Sequence, residues 1–104
     1  MERYEVLIEA SAEIDIAGIL AYIAKTLKEP ENAKHVYASI KAKISGLDEM
    51  PLRNKVVDEE PYRSMGIRPL YVGNYTIFYS IDEDNREVHV LRILYSRRLW
   101  QNLL

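Results

Sequence analysis

The stretch IRPLYVGNYTIFYSIDEDNREVHVLRILY, residues 67–95, decides the fold. It holds three apolar runs separated by two short polar breaks. Ile67 to Val72 reads as a strand, and Pro69 within it points to an edge position, because proline cannot donate to a sheet ladder. Gly73-Asn74 is a two-residue turn signal. Tyr75, Ile77, Tyr79 and Ile81 then alternate with Thr76, Phe78 and Ser80, the period of a strand. Asp82-Glu83-Asp84-Asn85 is a second polar turn, and Glu87 to Tyr95 is rich in β-branched and aromatic residues. Connections this short join strands antiparallel, so the stretch predicts a three-stranded meander.

Working back from Gly66, the pattern changes twice. Residues Glu49 to Met65 have no period: Pro51, Asn54, Pro61 and the acids Asp58, Glu59 and Glu60 break it. A loop of that length in a small domain is commonly functional. Before it, Ala33, Val36, Tyr37, Ile40, Ile44 and Leu47 recur at three and four, with Pro30 placed to open that helix at its first position. Earlier still, Ala12, Ile16, Ile19, Leu20, Ile23 and Leu27 trace a first helix, with Ser11 as its candidate cap. Glu13 and Asp15 in its first turn and Lys25 and Lys28 in its last suit the helix dipole. Tyr4 to Glu9 alternates weakly and predicts a short first strand. The expected architecture is α+β: an N-terminal strand, a two-helix antiparallel hairpin, then the meander, with the helices on one face of the sheet. The other face is expected to lie open as a shallow concave surface.

A chain of 104 residues suits one domain, 1–104, around one core. The absence of cysteine excludes disulfides and thiolate metal sites. Glu2, Arg3 and Glu5 interrupt any leader-like apolar run, and the most apolar segment, Ile16 to Ala24, is far short of the ~20 residues that cross a bilayer. A soluble cytoplasmic protein is expected, with no membrane partner. The net charge is −2, but unevenly placed. Residues 1–60 carry 8 basic and 12 acidic side chains, and residues 61–104 carry 6 and 4. Every cation after Lys55 is an arginine, whose planar fork grips phosphate or carboxylate bidentately. A protein that binds nucleic acid chiefly by charge is usually basic overall, which this one is not.

Several chemistries are missing. There is no phosphate-cradling glycine loop and no nucleophile elbow. His35 and His89 stand far apart in sequence with no zinc-binding spacing, so no metal and no cofactor is expected. Glu59 and Glu60 are candidates for proton transfer, against the ordinary reading of solvated loop acids. Arg92 is the most informative residue. It lies mid-strand among apolar neighbours, which costs free energy unless it reaches the surface or a partner. By simple alternation it shares a face with Val88, Val90 and Leu94, while His89, Leu91, Ile93 and Tyr95 share the other. Arg97 and Arg98 follow at once, so cations gather near one edge. The patch suits phosphates or an acidic partner segment. The plain alternative is that Arg92 pairs with a loop acid.

Arg68-Pro69-Leu70-Tyr71-Val72-Gly73-Asn74-Tyr75-Thr76-Ile77-Phe78-Tyr79 resembles the second and third strands of RelE/ParE superfamily toxins, and Val90-Leu91-Arg92-Ile93-Leu94-Tyr95-Ser96-Arg97-Arg98 resembles their last strand and tail. The first strand and helical hairpin fit the same order. The resemblance implies the toxin of a bacterial type II toxin–antitoxin module (a plasmid stabilisation protein), held inactive by a cognate antitoxin that wraps it with an extended or helical segment. The superfamily divides by activity. ParE-like members inhibit growth by binding DNA gyrase without known cleavage; RelE-like members cut messenger RNA on the ribosome. RelE-like members carry an arginine three residues before the tyrosine that closes the third-strand motif. Here Thr76 takes that place, and a hydroxyl does not stabilise phosphate charge as a guanidinium does. The resemblance therefore leans to the ParE-like branch. The ribonuclease alternative assigns catalysis to Arg68, Arg92 and Tyr95. A second alternative is an inactive toxin-fold binding protein. Arg63, Tyr75, Arg97, Arg98 and Trp100 are the expected contacts to target or antitoxin. Leu99 follows the arginine pair where related chains often have an acid. The apolar helix faces also leave room for a homodimer.

Overall fold

The computed structural model of the chain describes residues 3–97 and 103–104. Strand β1 (Glu5–Ile8) leads into helix α1 (Ala10–Ala21), which continues as a π-helical turn over Tyr22–Thr26. Helix α2 (Pro30–Ser45) does begin at its proline, where the missing N–H costs nothing. Short 3₁₀ turns at Gly46–Asp48 and Pro51–Arg53 open the long loop, and β2 (Arg68–Val72), β3 (Tyr75–Asp82) and β4 (Glu87–Tyr95) follow. No described helix is long and apolar enough to cross a membrane.

The four strands form one sheet in the order β1-β4-β3-β2. The meander is antiparallel, and β1 adds to it parallel to β4. Gly73 closes the β2–β3 turn at φ 55°, a left-handed conformation that glycine adopts without strain. Strand β2 is an outer strand, as Pro69 requires.

Two cores flank the sheet. On the helix side, Ala12 and Ile16 of α1 and Ile40 and Ile44 of α2 pack on Leu70, Val72, Ile77, Tyr79, Val88, Val90 and Ile93. Each large side chain so buried is worth roughly 1.5–3 kcal/mol. The opposite face is not open, contrary to the expectation. Val57 and Ile67 from the two ends of the loop cover Phe78 and Leu94, with Tyr62, Leu91, Leu103 and Leu104 packed around them. The loop is also bonded to itself: Val57 N donates to Ile67 O, Arg63 N to Glu59 O and Ile67 N to Tyr62 O. Its apolar residues are sparse in sequence, but the turn places them together.

A β-bulge between Phe78 and Tyr79 alters the faces of β4. Phe78 pairs with Arg92, yet Tyr79 pairs with Val90, so Leu91 is the extra residue. Before it, Val88 and Val90 face the helices; after it, Ile93 does, and Leu94 turns to the loop side. The simple alternation grouped Leu94 with Val88 and Val90, and the bulge undoes that grouping.

Strand β1 is four residues and β4 is nine, so β4 outruns its parallel neighbour. The start of α1 takes over the exposed edge. Glu9 N donates to Val90 O at 2.9 Å and Ser11 Oγ donates to Leu91 O at 2.7 Å. Asp15 Oδ2 accepts from Ile93 N at 2.9 Å. Ser11 is thus an edge partner and not the helix cap; Glu9 holds that position without a capping side-chain bond.

Candidate functional site

Arg92 stands where α1 crosses the end of β4. Its Nε and Nη2 donate to the two carboxylate oxygens of Asp15 at 2.7 and 2.9 Å, and Nη1 donates to Leu103 O. The fork-to-fork geometry is the strong form of the pair. The Asp15 bonds push the guanidinium pKa further up, against a smaller opposing effect of burial. The partner is therefore a helix acid, not a loop acid. Asp15, read from sequence as a dipole residue, serves the arginine and the strand edge at once.

Arg68 is tied down elsewhere. Its Nη1 donates to Leu52 O at 3.3 Å and to Asn54 O. Beside it, Tyr79 Oη donates to Pro51 O at 2.6 Å and accepts from Asn54 Nδ2 at 3.1 Å. Burial pushes the Tyr79 phenol pKa up, with Asn54 and then Arg68 opposing. Arg68 and Tyr79 together anchor the start of the long loop to β2 and β3.

Tyr95 is exposed and meets Tyr75, its cross-strand partner, edge to face at 5.9 Å between ring centroids. Arg68 stands opposite Tyr79 of the helix-side core, and Arg92 opposite Phe78 of the loop-side core. The register thus spreads Arg68, Arg92 and Tyr95 over separate places and does not gather them around one reacting group. Thr76 is buried, its Oγ1 2.8 Å from Ser96 Oγ. Glu60 accepts from Ser64 N at 3.1 Å, and its bonds to Ser64 hold its carboxyl below the ordinary range, which keeps it a carboxylate. Arg63 and Arg97 are exposed on the loop and after β4. Arg98 and Trp100, and the departure at Leu99, lie outside the described residues.

Two concavities stand out among the described residues. A groove of about 1010 Å³ runs between the helical hairpin and the β2–β3 end of the sheet. Ile14, Tyr22 and Leu27 line its outer wall, and Tyr75, Ile93 and Tyr95 its sheet side. Ile14, at 72% exposure, Tyr22 and Leu27 are large apolar groups facing water, an arrangement that marks interaction surfaces. A smaller hollow of about 610 Å³ lies on the loop side, where Arg53, Lys55 and Tyr71 surround Thr76 and Ser96. Sequence reasoning named Tyr75 and Tyr95 but missed Ile14, Tyr22, Arg53 and Lys55. Ile14 and Tyr22 fall outside the apolar stripe of the first helix, and a single apolar residue off the stripe carries no signal of its own. The loop cations sit in an aperiodic segment with no local signal of convergence.

The comparisons place this architecture. A family model described as the ParE toxin of the type II toxin–antitoxin system, parDE, matches residues 6–100. Among solved structures, a chain of the chromosomal ParDE system from P. aeruginosa superposes with a TM-score of 0.73 at 19% identity, over 89% of this chain and 96% of that one. A chain of the toxin–antitoxin complex RelBE2 from Mycobacterium tuberculosis gives 0.64 at 23% identity, over 91% and 93%. A chain of the archaeal RelE–RelB complex from Pyrococcus horikoshii OT3 gives 0.59 at 17% identity, over 92% and 98%. At such identities these likenesses speak for the fold alone. A search of curated protein sequences finds no match. The family match spans nearly the whole chain, and on that ground the chain belongs to the ParE toxin family of type II toxin–antitoxin systems.

Proposed function

We propose that this toxin acts in the bacterial cytoplasm by binding DNA gyrase, without cutting RNA, and that a cognate antitoxin neutralises it. One observation carries the preference for binding over cleavage: both candidate catalytic guanidinium groups are engaged by partners within the chain. A phosphoryl-transfer site needs cations aimed at the charge that develops on the phosphate. Here Arg92 is aimed at Asp15, Arg68 at loop carbonyls, and Thr76 stands where the further arginine of a ribonuclease is expected. The test is to add the purified full chain to a gyrase supercoiling reaction and to ribosomes programmed with messenger RNA. The expected result is lost supercoiling and an intact message. A cut message with untouched supercoiling overturns the reading and returns Arg92 and Tyr95 to the catalytic candidates.

The groove beside α1 is the proposed seat of the antitoxin. An amphipathic segment laid into it would cover Ile14, Tyr22 and Leu27, the helix-in-groove mode of recognition. Ile14→Glu is expected to change stability by no more than about 0.5 kcal/mol, as an exposed position should, and to weaken antitoxin binding by about tenfold or more. Calorimetric titration of wild type and variant measures this. Unchanged affinity would move the antitoxin to another surface.

A further inference from the structure

At the end of the β3–β4 hairpin, far from the groove, four side chains from three parts of the chain converge. Asp82 and Glu87 are direct cross-strand partners, the last and first residues of their strands. Two carboxylates placed opposite each other repel, an effect that the Asn85 N–H and amide offset at Asp82 by donating to its two oxygens. His89, two residues along β4, is on the same side as Glu87. One ligand atom each from Asp82, Glu87 and His89 lies within 4.8 Å of the others. The imidazole is also oriented. Its Nε2 is 3.1 Å from Glu87 Oε1, and its Nδ1 is 3.5 Å from Glu9 Oε1 at the β1–α1 junction.

From this geometry we propose that Asp82, Glu87 and His89 bind a divalent transition-metal ion of the zinc class, with Glu9 as the positioning residue for the histidine. A carboxylate on one ring nitrogen fixes the tautomer and turns the other nitrogen's lone pair to the metal. Glu9 stands on the Nδ1 side at 3.5 Å, in reach of that bond once the ring is drawn to an ion, and Nε2 faces Glu87 at 3.1 Å. One imidazole with two carboxylates is a nitrogen–oxygen donor set, which suits zinc and its neighbours better than calcium or magnesium. Tetrahedral ligands at ordinary zinc distances stand about 3.4 Å apart, so the set closes when Asp82, which accepts from Asn85 N at 3.2 Å and from Asn85 Nδ2 at 2.8 Å, turns one oxygen from the Asn85 side chain to the ion. All three ligands are half-buried on strands that the sheet holds in register. The ion would clamp the ends of β3 and β4 together and offset the Asp82–Glu87 repulsion.

The chain has only two histidines, His35 on α2 and His89, so the imidazole signals are readable one by one. The experiment is titration of the chelator-treated full chain with zinc ion alone, followed by calorimetry and by histidine NMR. The expected result is one equivalent bound, a shift of the His89 ring signals with His35 unmoved, and a raised melting temperature. Glu9→Gln is expected to weaken binding by about tenfold, and His89→Gln to abolish it while His35→Gln leaves it intact. No stoichiometric binding, or equal shifts at both histidines, overturns the site. In that case His89 bridges Glu9 and Glu87 within the fold and no more. The wild-type NMR result decides even where a variant fails to fold.

Discussion

Asp15→Ala is expected to destabilise the fold by about 3 kcal/mol, because it strips one side chain of three bonds and strands a charge. Asp15 accepts from Nε and Nη2 of Arg92 and from the backbone N–H of Ile93. The acid is 13% exposed and the arginine 26%, so water replaces little of what is lost. For a domain of this size the change corresponds to a fall of roughly 12–20 °C in melting temperature. Asp15→Asn is expected to cost about half as much, since the amide oxygen still accepts one of the three bonds. Denaturant unfolding of both variants measures the difference. If Asp15→Ala stays within about 0.5 kcal/mol of wild type, the pair is not structural and Arg92 is free to serve a target. The prediction also guards the interpretation of function. If the pair is structural, Arg92→Ala loses activity by loosening α1 from β4, and such a loss says nothing about catalysis.

Arg92 also shows where sequence reading stops. Its isolation among apolar neighbours announced that it needs a partner, and that part was legible. The partner lies 77 residues away on α1 and carried a sufficient local explanation of its own as a first-turn acid. Nothing in either neighbourhood encodes the crossing of α1 over the β4 edge. That crossing follows from the mismatch between a four-residue β1 and a nine-residue β4, visible only once both ends are paired. The element order was legible because the periods of 3.6 and 2 are written plainly in 12–47 and 67–95. The bulge at Leu91 was not, since an inserted residue leaves a β-rich run looking uniform. Of the candidate site, Tyr75 and Tyr95 could each be placed on a strand, but their pairing could not be read, since without the bulge Tyr75 would face Leu94. Arg68, Arg92 and Tyr95 came as catalytic candidates from the family resemblance, and the register sets them at separate places on the sheet.

The loop over residues 54–66 hides the sheet face opposite the helices, and Phe78 is its chief fastening. Phe78→Ala is expected to cost about 4 kcal/mol, the usual range for emptying an aromatic site in a packed core. The ring is 2% exposed and packs in the cluster of Val57, Ile67 and Leu94, so the cavity is bounded on one side by the loop itself. That side is the one free to move. The variant is therefore expected to open the loop before the rest of the molecule unfolds, because local openings follow the least-packed boundary. Trypsin should cut first after Lys55 or Arg63, both exposed within the segment. Ile77→Ala supplies the comparison. Ile77 is a neighbour on the same strand, equally buried but facing the helices. It is expected to lower stability by a similar 2–5 kcal/mol without early cleavage in the loop. Equal digestion patterns for the two variants, or a cost under about 1 kcal/mol for Phe78→Ala, would mean that the loop merely rests on the sheet. In that event the sheet face becomes available to a partner, and the groove beside α1 loses its standing as the main apolar surface left for one.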